Sequence, residues 1–139
     1  MENLELVLNA VSVYQVQIDQ VDKIWNYFSV VSLTVVGIIL NSDKAVRTIK
    51  EPLIIIGAYL IFCFKNHIAL LKYQKQLDQL GNLITTLKVT NAEALSSFGT
   101  AGFDESRRAH ILFTVAVCAG SLLTAWIRIK NHEKNSLTN

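Results

Sequence analysis

Apolar positions along the chain collect into three runs separated by polar stretches. The first, residues 24–42, continues for 19 positions without Asp, Glu, Lys or Arg. At 1.5 Å per residue a helix of that length covers about 28 Å, close to the hydrocarbon thickness of a bilayer. Residues 109–127 form a run of the same 19-residue length, with one titratable polar side chain, His110, at its start. The middle run, residues 53–64, is free of charge for only 12 positions, or about 18 Å. It reaches spanning length at residue 71 only by taking in Lys65, Asn66 and His67. The pattern predicts three membrane-spanning helices at about 24–42, 53–71 and 109–127; the alternative is a soluble bundle of unusually apolar helices.

The flanking segments carry a different period. Leu4, Val7, Val11, Tyr14, Ile18, Val21, Trp25 and Phe28 recur at steps of three and four, which places one stripe along a helix over residues 3–23 that leads into the first span. Residues 14–19 also alternate with period two, as a strand would, but a lone strand has few partners here. After the middle span, Leu70, Tyr73, Leu77, Leu80, Ile84 and Leu87 repeat the three-four rhythm among Lys and Gln residues, predicting an amphipathic helical part over 72–98. The two stripes are expected to pack as a small extramembrane bundle. Leu70, Tyr73, Leu77 and Leu80 are also the candidate surface for a partner protein.

Reaching the third span from an unbroken helix is geometrically difficult, because residues 98–105 return the chain by at most about 28 Å. A break at Gly81-Asn82 would fold the following segment back, with an N-cap for a short returning helix within residues 90–93, a turn at Gly99 and Gly102, and Asp104 capping the third span. A helix lying flat on the lipid surface is the alternative. Between the first two spans, residues 41–52 make a short polar connection, with Pro52 in the opening turn of the second helix. Residues 130–139 form a polar, frayed tail. The fold class expected is all-α: a three-transmembrane-helix integral membrane protein, a single membrane domain over residues 1–139 with amphipathic helical extensions.

Composition agrees, with 51% apolar residues, 17% charged and a single proline, which excludes a disordered chain. The acidic start, Glu2 and Glu5, differs from a secretory signal, so the first span is expected to be retained in a plasma or bacterial inner membrane. Lys and Arg divide seven to six between the two sides, so the positive-inside rule does not choose an orientation. Translocating an N-terminal helix as well as the segment between the second and third spans is the more demanding insertion, which favours a cytoplasmic N-terminus. The net charge of +2 is spread over both sides, which disfavours nucleic-acid binding.

Candidate chemistry is sparse. Cys63 and His67 lie four apart, but two ligands do not hold a metal, and His110, Cys118 and His132 fall at depths that do not match one another; no metal or cofactor is expected. No phosphate loop, nucleophile elbow or His-Glu zinc pair occurs, and Asp78, Glu93, Asp104 and Glu105 lack an obvious partner base, so the chain is not expected to be an enzyme. Lys65, Asn66 and His67 either mark a polar path within the bilayer or, for the lysine, a stem that snorkels to the headgroups. Arg107 and Arg108 suit lipid phosphates. Trp25, Tyr27 and Trp126 suit the aromatic belts. Ala116, Gly120 and Thr124, with Gly37 on the first span, are small residues that let helices approach closely, within one chain or between copies. Ser29, Ser32 and Thr34, with Lys65, Asn66 and His67, are the candidate pore lining. The expected function is an oligomeric pore or membrane-permeabilising component, with the lipid bilayer and further copies of the chain as partners. The alternative is a membrane-anchored assembly or accessory subunit that binds a larger protein.

Overall fold

The computed structural model describes residues 2–86 and 103–137. It consists of three long helices, α1 (Glu2–Asn41), α2 (Lys50–Thr86) and α3 (Phe103–Leu137), with a 3-10 turn at Lys44–Val46 and no strand among the described residues. The period-two stretch at residues 14–19 is helical: Tyr14 is buried while Gln15 and Val16 are exposed. Backbone hydrogen bonds close within a helix, whereas a single strand would leave them open.

All three helices are long and apolar enough to cross a membrane. Of the most apolar window in each, only 22%, 22% and 17% is buried inside the chain. Leu33, Ile54, Ile61 and Leu112 are among the exposed side chains. Apolar surface on this scale matches a hydrocarbon surround, and helices alone satisfy their backbone there without water.

The turn between α1 and α2 is held by local bonds. Ala45 N–H donates to Ser42 Oγ at 3.3 Å, and Val46 is buried in a cluster with Ile39 and Ala125, flanked by Ile55 and Ile129. Thr48 and Glu51 then open α2 much as a capping box does: the Thr48 N–H donates to Glu51 Oε2 at 2.8 Å, and the Lys50 N–H donates to Thr48 Oγ1 at 3.3 Å. Pro52, in the first turn, gives up an N–H that the helix does not use.

The chain divides into two compact units, one of Met1–Asn26 with His67–Arg108 and one of Tyr27–Asn66 with Ala109–Asn139. In the first, Ala10, Tyr14 and Ile84 form a buried cluster with Val11, Leu77 and Leu80 packed against it. The second holds the cluster around Val46 and the polar contacts described below.

The expected break at Gly81-Asn82 does not occur: α2 runs unbroken to Thr86. Leu77, Leu80 and Ile84 continue one apolar stripe across the glycine onto α1, and that continuous contact outweighs the cost of about 1 kcal/mol that glycine imposes on a helix. Helix is present over residues 72–86; the remainder of the 72–98 segment, the N-cap within 90–93 and the turn at Gly99 and Gly102 lie outside the described residues. Asp104 falls in the first turn of α3 with Glu105 rather than ahead of it, where carboxylates still face the positive helix end. The supposed tail continues the helix as far as Leu137, and the Lys130 ammonium lies 5.2 Å from the Trp126 ring centre.

Candidate functional site: polar groups on apolar helices

Side-chain hydroxyls on an apolar helix commonly bond back to the carbonyl one turn earlier. Thr34 does so to Val30 O at 2.8 Å, and Thr114 to His110 O at 2.9 Å. Ser32 donates to Phe28 O at 2.7 Å, and its oxygen also lies 2.8 Å from the Tyr59 hydroxyl. The serine proton being spent on the carbonyl, the phenol is the donor in the second bond. Both residues are buried, so α1 and α2 share a satisfied polar contact. Tyr59→Phe removes that donor and leaves the Ser32 backbone bond in place; the expected cost is about 0.5–1 kcal/mol, read from the midpoint of unfolding in mixed micelles.

A second polar contact joins α2 to α3. Asn66 Nδ2 lies 3.2 Å from His110 Nε2, and His110 is only 2% exposed. An amide nitrogen only donates, so in this orientation Nε2 accepts and the ring proton sits on Nδ1. The imidazole lies against Phe28, with ring centres 4.3 Å apart, and Phe113 meets Phe28 edge-on at 6.2 Å. One α1 aromatic therefore packs against the imidazole of the hydrogen-bonded pair.

The six candidate lining residues do not share one face. Ser32 and Asn66 are engaged within the chain. Ser29, Thr34 and Lys65 are exposed, and His67, half-buried, belongs to the other unit. Thr34 lies about 160° from Ser32 around α1. Of the candidate partner-binding residues, Leu70 is fully buried, Leu77 and Leu80 pack on the Ala10–Tyr14–Ile84 cluster, and Tyr73 is half-buried.

Ala116, Gly120 and Thr124 line a groove of about 360 Å³ on α3, completed by Phe113, Val117 and Ser121 and by Val36, Ile39 and Leu40 of α1. A Cβ placed on Gly120 or on Gly37 would meet nothing within 4 Å, so the chain's own packing does not use their small size. Ser121, 3% exposed, leaves its hydroxyl without a hydrogen-bond partner among the described residues.

Two interactions important to this architecture were not foreseen from sequence, the pairing of Asn66 with His110 and the role of Arg128 at the end of α1. Asn66 falls near the end of the second apolar run and His110 at the start of the third, and antiparallel helices bring those ends together, which was the available signal for their pairing. Arg128 donates to the carbonyls of Ile39 and Leu40 at 2.7 and 2.8 Å and binds the Asp43 carboxylate. Its signal was an α1 with no basic residue in its last turn. No group of three or more His, Cys, Asp or Glu among the described residues is placed to hold a metal ion.

Apolar outward faces, internally closed backbone and polar side chains paired between helices define a multi-pass α-helical membrane protein by length and composition. The chain matches no family model, no curated protein and no solved structure.

Proposed function

We propose that the protein works as a homo-oligomer in the membrane, as a non-enzymatic pore or membrane-permeabilising component. The observation that carries this is the open groove along Ala116, Gly120 and Thr124. Small side chains let a helix from a second copy approach closely. A single three-helix chain is too small to enclose a wide aqueous path, so permeation requires several copies. Lys65, exposed on one chain, gains a polar interior to face when copies assemble. We take the setting to be a plasma or bacterial inner membrane, with the N-terminus in the cytoplasm and the Ala10–Tyr14–Ile84 unit outside the bilayer.

The test is dye and ion leakage from liposomes holding the purified chain, together with its oligomeric state in detergent. Leakage and a defined oligomer are expected. Gly120→Leu, which finds open space in the monomer, should reduce leakage at least tenfold by blocking close approach, and Lys65→Leu should alter its ion dependence. A monomer that leaks nothing rejects the proposal.

One feature favours a second reading, a membrane-anchored accessory subunit. Leu6, Val13 and Val16 are exposed on one side of the first half of α1, ahead of the charge-free run. A larger partner protein covering that face would co-purify with the chain, and the pair would be lost on changing Val13 and Val16 to Asp, with no leakage in either case.

A further inference from the structure

Lys44 and Arg47, at the turn between α1 and α2, line a cleft of about 330 Å³ with Asp43 and His132. Asp43 is already committed: Arg128 binds its carboxylate, and His132 Nε2 lies 3.8 Å from the same oxygen. Lys44 and Arg47 have no ion pair or side-chain hydrogen bond among the described residues. Glu51, the next carboxylate along the chain, accepts from Thr48 and feels the Arg47 charge only more weakly, outside ion-pair distance. With Asp43 matched by Arg128, the cleft keeps two fixed positive charges and no free acid among its lining residues.

Depth supplies the second observation. The cleft lies where the first charge-free run has ended, the middle run has not begun and the third has just closed at residue 127. At a similar height on another face of α3, the exposed Trp126 carries the Lys130 ammonium over its ring, a pairing suited to the headgroup layer. The volume equals about ten water-sized groups, the scale of a glycerophosphate.

We propose that this cleft binds the phosphate of an anionic membrane lipid, with Lys44 and Arg47 contacting the phosphate oxygens and His132 at the rim. A phosphate free in solution offers the same chemistry, and the lipid is assigned because the cleft opens at the edge of the hydrocarbon.

The full chain in neutral detergent is titrated with phosphatidylglycerol, with phosphatidylcholine and with inorganic phosphate, and lipid retention is read by native mass spectrometry. Phosphatidylglycerol should be retained preferentially. Lys44→Ala with Arg47→Ala should weaken that retention about 10- to 30-fold, the size expected of two cations near the surface, and leave phosphatidylcholine unchanged. Both side chains are exposed, so the fold should survive, which far-UV circular dichroism verifies. Lys72→Ala with Lys75→Ala removes equal charge from exposed positions in the other unit and should leave retention as it was. The proposal is overturned by equal retention of the two lipids, by a double variant that binds within twofold of the parent, or by an equal loss in the Lys72 and Lys75 control. Inorganic phosphate that occupies the cleft and excludes phosphatidylglycerol at millimolar concentration overturns the lipid assignment.

Discussion

Replacing Arg128 with leucine is expected to destabilise the folded chain by about 2–4 kcal/mol, measured by equilibrium unfolding in mixed micelles with circular dichroism as the readout. A helix ends with carbonyls that no later turn can reach, and α1 carries no basic residue of its own in its last turn. The guanidinium of Arg128 answers two of those carbonyls, at Ile39 and Leu40. Bonds from a charged donor contribute about 1.5–3 kcal/mol each where shielded, and less where water competes. The Arg128 side chain is 23% exposed and Asp43 is 77% exposed, so the ion pair itself adds at most about 1 kcal/mol. Lysine at the same position should recover only part of the loss, because a point ammonium lacks the planar fork that lets Nη1 serve both carbonyls while Nη2 binds Asp43. A Leu variant within about 0.5 kcal/mol of the parent would remove Arg128 from the structural account.

Ile84→Ala and Ile39→Ala form the second test, and the contrast between them matters more than either value. Both isoleucines are 1% exposed, and both sit in buried clusters, one in each unit. In water, truncating such a side chain loses its transfer free energy and leaves a cavity, about 3 kcal/mol together. In lipid the unfolded helices already rest in an apolar medium, so only lost dispersion contact counts, about 1 kcal/mol. Ile84→Ala should therefore cost about three times as much as Ile39→Ala. Equal losses would place the Ala10–Tyr14–Ile84 cluster in the bilayer and remove the extramembrane bundle from the proposal.

Much of the fold was legible in residue pattern. Charge-free runs and three-four stripes depend on local spacing, and each long helix follows from them. The turn before α2 carried a further local signature, Thr48 three residues ahead of Glu51, matching the bonds that open the helix. Gly81 misled because its local preference for a break is weak beside the apolar stripe crossing it. The candidate lining was less legible: periodicity identifies which residues share a helix face, but not which face meets a neighbouring helix. Ser32 therefore turns inward to Tyr59 while Ser29, three residues earlier, remains exposed. The small residues of α3 could be found from sequence, whereas their vacancy could be seen only once the other helices had been placed.

Two of the inter-helix polar contacts, Ser32 with Tyr59 and Asn66 with His110, have a consequence for uniqueness. Apolar rods in an oily solvent gain almost equally from many rotations and vertical offsets, because dispersion has little direction. A hydrogen bond tolerates only a few tenths of an ångström and a narrow angle, so each pair acts as a vernier mark locking the phase of one rod against its neighbour. Erasing both marks should leave the helical content unchanged while the side-chain resonances broaden, as one arrangement gives way to several.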